Sequence, residues 1–116
     1  MNPLDSHLDI LAKAMSLRLE RHSVIAANIA NADTPGYRPS AVSFEEELQK
    51  TVASGRLGKL DGMSAKVQIM DDGVPRADGN SVNMDRQLAA LSENSITYNA
   101  TAEFLARKIK MIKAVI

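Results

Sequence analysis

The clearest structural signal in the chain lies at Ala27-Asn28-Ile29-Ala30-Asn31-Ala32-Asp33-Thr34-Pro35-Gly36-Tyr37. Thr34 precedes a proline, which disfavours the α region and so ends a helix that runs up to it. Pro35 and Gly36 suit the two central positions of a type II turn, because glycine tolerates the positive φ that the second position requires. The stretch therefore predicts a helix end, followed by a turn that begins at Thr34.

Two asparagines lie three residues apart where that helix ends. Asparagine is a poor helix-interior residue because its amide competes for backbone hydrogen-bonding groups. Near a helix end, Asn28 and Asn31 can bond free carbonyls or the following loop, or they can hold the loop against a neighbouring chain. Both interpretations stay open. The residues of this turn motif that we expect to make assembly contacts are Asn28, Asn31, Thr34, Pro35, Gly36 and Tyr37.

An amphipathic helix is predicted upstream of the turn, from about Leu4 to Asn31. Pro3 fits its first turn, where a missing backbone N–H costs nothing. Its apolar residues recur mostly at steps of three and four, the helical period, and they are Leu4, Leu8, Leu11, Met15, Leu19, Ala26 and Ile29.

The C-terminal part of the chain has the most regular pattern. Asn83 is the predicted N-cap of a long helix that packs in a coiled-coil-like pair with the N-terminal one. The pattern behind this prediction is a heptad stripe of Met84, Leu88, Leu91, Ser95, Tyr98, Ala102, Leu105, Ile109, Ile112 and Ile116.

A second apolar set lies about 100° or more from that stripe around the same helix, at Ile96, Ala100, Phe104, Met111 and Val115. Two apolar faces need two sets of neighbours. The N-terminal helix can cover one, so the other face indicates further chains. Across both helices, the predicted helix-packing residues are Leu8, Leu11, Met15, Leu91, Tyr98, Phe104, Leu105, Ile109, Met111 and Ile112.

The middle region has mixed signals. Ser43-Phe44-Glu45-Glu46 matches a capping box, which predicts a short helix that ends at Gly55 and has an apolar face of Phe44, Leu48 and Val52. Lys66-Val67-Gln68-Ile69-Met70 alternates and predicts one strand of a β-hairpin.

Glycine, aspartate and serine are frequent in the rest of that region. We expect mobility between Ser54 and Ser64, and turns at Asp71-Asp72-Gly73 and Asp78-Gly79-Asn80. The predicted fold is mainly α, with long paired terminal helices around a small irregular middle region that holds a short helix and a β-hairpin. The predicted divisions are residues 1–37, 38–82 and 83–116.

Composition narrows the classes of function. The chain has 116 residues, which suits one small domain, and 14 basic against 14 acidic residues, which disfavours nucleic-acid binding. It has no cysteine, so thiolate chemistry is not available to it. No apolar run approaches the length of a membrane span. Asp5 and Asp9 stand where a cleavable signal peptide needs basic and then apolar residues, so we expect none.

No catalytic, cofactor-binding or metal-binding residue is predicted. His7 and His22 lack the spacing of zinc ligands, and we expect His22 at a helix interface. Ser23 has no glycine elbow around it, so its place beside His22 does not predict a catalytic triad. Asp71, Asp72 and Asp78 lack the pattern of a calcium loop, and turn formation accounts for them better.

The Ala27-to-Tyr37 stretch closely resembles the N-terminal signature of the flagellar axial proteins, the rod and hook family. As in that family, it follows an amphipathic helix that begins almost at the first residue. Asp78-Gly79-Asn80-Ser81-Val82-Asn83-Met84-Asp85 is similar to the segment before the C-terminal helix in proximal-rod members, and the small middle region suits these members best. A second type of proximal-rod subunit shares the first motif but would be expected to have a longer insertion near it.

The resemblance implies a structural subunit of the flagellar basal-body proximal rod. Such subunits cross the inner membrane through the flagellar type III export apparatus without cleavage and assemble in the periplasm. Their terminal helices pack around an export channel. The implied partners are other rod subunits, further copies of the chain, the export apparatus, and the membrane-ring and export-gate adaptor proteins. No cofactor, nucleic acid or small-molecule substrate is implied.

Two other classes of protein compete with this one. A membrane-surface or regulatory helix is suggested by the basic amphipathic C-terminus, but it leaves the Asn28-to-Tyr37 motif unexplained. A small hydrolase needs a nucleophile and a base at usable positions, and the sequence shows no such pair.

Overall fold

The computed structural model describes residues 3–71 and 73–115. Two long antiparallel helices dominate it: α1 (Pro3–Ala30) and α3 (Met84–Val115). Between them lie strand β1 (Ser40–Ser43), helix α2 (Glu45–Ala53), a 3₁₀ helix (Leu57–Lys59) and strand β2 (Lys66–Ile69). The molecule is a rod of 61 × 26 × 16 Å. The predicted class, mainly α with paired terminal helices and a small mixed middle region, is confirmed.

Both terminal helices begin as the sequence predicts. Pro3 is the first residue of α1, and Asp5 lies in its first turn, where a carboxylate is favoured by the helix dipole. Asn83 caps α3, since its Oδ1 accepts the Arg86 backbone N–H at 3.2 Å. The side chain of Leu4 and all of Ile116, both in the predicted stripes, lie outside the described residues.

The hydrophobic core lies between α1 and the middle region, and it uses a face of α1 that the sequence analysis did not identify. Its buried members are Leu17, Val42, Phe44, Leu60 and Met63, with Ile10, Val24 and Leu48 packed against them. In α1 the core residues Ile10, Leu17 and Val24 are seven apart and so share one face. The predicted residues Leu8, Leu11 and Met15 are only partly buried.

Phe44 joins that core to two arginines of α1. The guanidinium carbons of Arg21 and Arg18 lie 4.4 and 5.5 Å from the centre of its ring, within cation–π range. Arg21 also donates to the Val42 carbonyl at 2.8 Å and forms a salt bridge with Glu45. Burial lowers the pKa of the Arg18 guanidinium from its usual value, and the charge of Arg21 adds to that shift.

The capping-box prediction at the start of α2 is wrong. Ser43 is the last residue of β1, and the N-cap is Phe44, with no side-chain cap hydrogen bond. The buried ring of Phe44 fixes the chain here, so packing takes the place of the serine cap. The end of α2 is as predicted, because Gly55 follows it at a φ of 72°.

The predicted β-hairpin is confirmed, and β2 is its predicted strand, but the position of the partner strand β1 was not predicted. β2 pairs antiparallel with β1, with Ser40 opposite Ile69 and Ser43 opposite Lys66, so helix α2 lies within the connection. The turn predicted at Asp71-Asp72-Gly73 includes Asp72, which lies outside the described residues. Mobility between Ser54 and Ser64 stays a prediction, although Leu60 and Met63 in that segment belong to the core.

Candidate assembly interface

Asn28 lies at the centre of the junction between the end of α1 and the start of α3. Its amide nitrogen donates to the Ser40 carbonyl at 2.7 Å and to Gln87 Oε1 at 3.0 Å. Its oxygen accepts from the Tyr37 hydroxyl and from the Ser40 backbone N–H, both at 3.0 Å. The side chain is fully buried, and it uses both amide hydrogens and both acceptor sites. Asn28 therefore ties α1 to its following loop, to β1 and to α3.

Asn31 acts more locally. Its amide donates to the Ala27 carbonyl at 2.8 Å, and its oxygen accepts from the Thr34 hydroxyl at 3.0 Å. Gly36 has a φ of 75°, and the Tyr37 N–H donates to the Thr34 carbonyl at 3.2 Å. The predicted turn beginning at Thr34 is confirmed, as are the local bonds expected of the two asparagines.

A second turn docks against the first. The Gly36 N–H donates to the Asp78 carbonyl at 2.9 Å, and the Ser81 N–H donates to the Tyr37 carbonyl at 3.1 Å. Gly79 has a φ of 81°, and a Cβ on it would lie only 3.3 Å from Gly36 Cα. The turn predicted at Asp78-Gly79-Asn80 is confirmed, and it packs directly on the motif turn.

Two further residues complete this junction: Arg76, which sequence reasoning missed, and Asn80, which was predicted only as part of a turn. Asn80 is fully buried, and its amide donates to the carbonyls of Asn31 and Thr34 at 2.9 and 2.8 Å. Arg76 donates to the Ala32 carbonyl and, at 3.2 Å, to the Val82 carbonyl. Since α1 has no basic residue in its last turn, Arg76 supplies the positive charge that a helix C-terminus favours.

The seam between α1 and α3 is polar at its centre. Among the described residues of α3, the buried ones are Gln87 and Asn94. The Asn94 amide donates to the Arg18 carbonyl at 2.8 Å, and the Arg18 guanidinium donates back to Asn94 Oδ1 at 3.2 Å. Beside these two amides, six residues of the predicted stripe are partly buried: Leu91, Ser95, Tyr98, Ala102, Leu105 and Ile112. The sequence pattern gave no sign of the two buried amides.

The second apolar face of α3 is exposed to solvent. Ile96, Phe104, Met111 and Val115 have 69, 60, 61 and 88% of their surface exposed. Phe104 also borders a groove toward α1, lined by His7, Ile10, Leu11 and Lys108. His22 is exposed at the border of another groove, beside Asn94 and Tyr98. Ile109 of the first stripe is also exposed, so one chain leaves apolar surface of α3 uncovered.

The described residues show neither a metal cluster nor a membrane span. Within residues 3–71 and 73–115, no three potential ligands among histidine, aspartate and glutamate come close enough together to hold a metal ion. No helix in this part of the chain combines the length and the apolar character needed to cross a membrane.

Comparison with known proteins places these features in a family. The family described as "Flagella basal body rod protein" matches residues 8–38, which include most of α1 and the whole motif turn. Flagellar basal body rod protein FlgB of Escherichia coli K12 is 34% identical, with 95% of this chain and 92% of the relative covered. FlgB of Proteus mirabilis HI4320 is 33% identical over 100 and 97%.

A more distant relative gives the same answer. FlgB of Buchnera aphidicola, from Acyrthosiphon pisum, is 30% identical, with 94% of this chain and 92% of the relative covered. None of these similarities supports a membrane-surface helix. At such identities over nearly the whole chain, the protein belongs to the flagellar basal-body rod protein family, as a FlgB-like structural subunit of the rod and not an enzyme.

Proposed function

We propose that this rod subunit assembles in the proximal rod by packing the second apolar face of α3 against neighbouring subunits, in a helical layer that encloses the export channel. The observation that carries the proposal is the exposure of Ile96, Phe104, Met111 and Val115 on one long helix. Each large apolar side chain left in water forgoes roughly 1.5–3 kcal/mol of burial. Neighbouring rod subunits would supply that missing cover.

The turn motif divides between two roles in this proposal. Asn28 forms its hydrogen bonds within the chain, so its role is to hold the junction together. Thr34, Pro35 and Gly36 lie exposed on the surface of that junction. They are the members of the motif that offer contacts to a neighbour, while Tyr37 supports them through its bond to Asn28.

The proposal includes the route of delivery. The subunit passes through the flagellar type III export apparatus and meets the membrane-ring and export-gate adaptor proteins at the base of the rod, on the periplasmic side. Export of this kind leaves the N-terminal helix uncut.

Purified basal bodies test the proposal. Cells carrying Ile96→Asp in place of the native chain should form fewer rods, because the substitution puts a charge where a neighbour needs an apolar surface. Glu103→Gln, on the same stretch of helix, serves as the control. Mass spectrometry of the incorporated protein should recover peptides that contain Asp5 and Asp9. Normal rods with Ile96→Asp would contradict the packing proposal, and loss of those peptides would contradict uncut export.

A further inference from the structure

The solvent side of α1 carries a negative surface. Asp5, Asp9, Ser16, Glu20 and Ser23 are all exposed, and their spacings of four, seven, four and three residues place them on one side of the helix. We name these five residues the acidic face. Its other side chains are small, so it presents a shallow surface between its carboxylates.

The solvent side of α3 carries a complementary surface. Ile96, Ala100, Phe104, Arg107 and Met111 are all exposed, and their steps of four, four, three and four follow one side of the helix. We name these five residues the basic ridge, because Arg107 belongs to it and the exposed Lys110 lies beside it. Two salt bridges are found among the described residues, Arg21–Glu45 and Lys50–Glu46. Neither involves a charged residue of the acidic face or of the basic ridge.

Contacts within the chain show which parts of the two helices lie at the same height. Asn28 bonds Gln87, and Asn94 bonds Arg18. Farther along the pair, one groove is lined by residues 7–11 of α1 and residues 104–108 of α3.

This pairing sets the heights of the charges along the rod. Asp5 lies level with Lys110, Asp9 lies level with Arg107, and Ser16 lies level with Ala100.

We propose that the acidic face of α1 in one copy seats against the basic ridge of α3 in the next copy, with both copies at the same height and in the same orientation. Each face is exposed to solvent, although Phe104 also borders the groove toward α1 of its own chain. Side-by-side copies bring the two faces together, with Asp9 opposite Arg107 and Asp5 opposite Lys110. Ala100 then lies over Ser16, Phe104 lies over the shallow stretch between Asp9 and Ser16, and Ile96 lies level with Glu20. The contact is heterologous, because it joins two different surfaces of the chain, and such contacts close into rings or continue as a helix.

This inference rests on the proposed rod function and names the occupant of the exposed face. Charge complementarity selects that occupant. A neighbour with a neutral apolar face would leave Arg107 and Lys110 without partners, whereas a second copy supplies carboxylates at their height. Small residues of the acidic face also allow close approach of the ridge.

Engineered cysteines test the contact without background, because the chain has no cysteine of its own. Ser16→Cys with Ala100→Cys should give covalent dimers and longer multimers of this chain when basal bodies are oxidised, since a disulfide needs Cα atoms about 4.4–6.8 Å apart. Ser23→Cys with Ala100→Cys is the matched control. It keeps the face but moves one thiol about 10 Å along α1, and it should give far less product.

The possible results separate the inference from the proposed function. Equal products from the two cysteine pairs, a product that contains another protein, or no product from an incorporated Ser16→Cys/Ala100→Cys chain would each overturn the same-height contact. Absence of the native chain from basal bodies would instead contradict the rod function.

Charge exchange gives a second measurement that needs no cross-link. Asp9→Arg and Arg107→Asp should each lower incorporation into rods, roughly five-fold at the upper limit for an exposed ion pair. The two changes together should restore most of it. If the combined variant incorporates no better than the single ones, the pairing of these faces is wrong.

Discussion

Asn28 shows how one side chain can fix the junction of two helices. Its four hydrogen bonds need two donors and two acceptor sites at one position. A carboxylate of the same shape would lose both donors, and an apolar side chain would lose all four bonds. Because the site is fully buried, water cannot replace what is lost, so the cost of a substitution is that of unsatisfied buried groups.

Asn28→Ala should therefore be strongly destabilising. The substitution removes the hydrogen bonds that Asn28 makes with the Ser40 carbonyl and N–H, the Tyr37 hydroxyl and Gln87 Oε1. We therefore expect a loss of about 3 kcal/mol in the free energy of unfolding. Asn31→Ala is the control, because the Asn31 side chain bonds only to Ala27 and Thr34 nearby, and about 1 kcal/mol is expected. Urea unfolding followed by circular dichroism measures both. Equal losses would show that the junction does not depend on the Asn28 network.

The two turn glycines should respond differently to alanine. Both have positive φ, which costs about 1–2 kcal/mol for a side chain. A Cβ at Gly36 meets nothing within 4 Å, whereas one at Gly79 meets Gly36 Cα at 3.3 Å. Gly79→Ala should thus cost more than Gly36→Ala in the same urea assay. Gly58→Ala, in open space and without a positive φ, is the control and should be nearly neutral.

At the scale of elements, the helix pair combines an apolar stripe with buried amides. Gln87 and Asn94 are seven residues apart on the side of α3 that faces α1. Polar residues on such a seam fix the register of paired helices at some cost in stability. Tyr98 and Leu105 lie beside these two buried amides and add apolar contact. The pair is thus positioned by hydrogen bonds and stabilised by partial burial.

Two neighbouring substitutions in α3 should separate the inner side of the helix from its outer side. Leu105 is partly buried toward α1, so Leu105→Asp should lose roughly 1.5–3 kcal/mol of stability. Phe104 is 60% exposed, so Phe104→Asp should cost less in the free chain and more in assembly. Thermal unfolding of each variant and its incorporation into basal bodies give the two readouts. A reversed order of stability loss would show that Phe104, through its groove with α1, belongs to the inner side.

The elements that the sequence predicted are those specified by local chemistry. Pro3, Asn83 and the Pro35-Gly36 pair act through local backbone and capping preferences, so the helix ends and the turn at these residues were correctly identified. What was missed depends on distant residues. β1 has little strand character of its own and forms because β2 pairs with it, while Phe44 replaces the predicted serine cap because the core holds its ring. Buried amides such as Asn80 look like surface residues in a sequence.

At the scale of the whole molecule, stabilising contacts are concentrated at one end of the rod. The junction holds buried Asn28 and Asn80 and the docked turns, and the core lies next to it. The opposite end consists of the start of α1 and the end of α3, where Met111 and Val115 are largely exposed. A small chain buries a low fraction of its surface and has little stability to spare.

Amide hydrogen exchange on the dilute monomer should therefore show a gradient along the rod. Backbone amides near Gln87 and Asn94 should exchange slowly, because they open only with the core, while those after residue 104 should exchange quickly through local fraying. In assembled rods, the same C-terminal amides should become protected as neighbours cover the apolar face. Phe104→Asp should diminish that gain in assembled material without changing exchange near Gln87.

Two outcomes of this exchange measurement would contradict the expected gradient. Slow exchange through residues 84–115 in a monomer proven by sedimentation would mean that one chain satisfies both of its long helices. The exposed apolar side chains would then be tolerated surface residues, and assembly would have to depend on other contacts, such as Thr34 and Pro35 at the junction. Fast exchange at both ends of α3, Gln87 included, would instead show that the junction itself forms only in the rod. The expected gradient is distinct from both, because it requires one end of α3 to be ordered before any neighbour arrives.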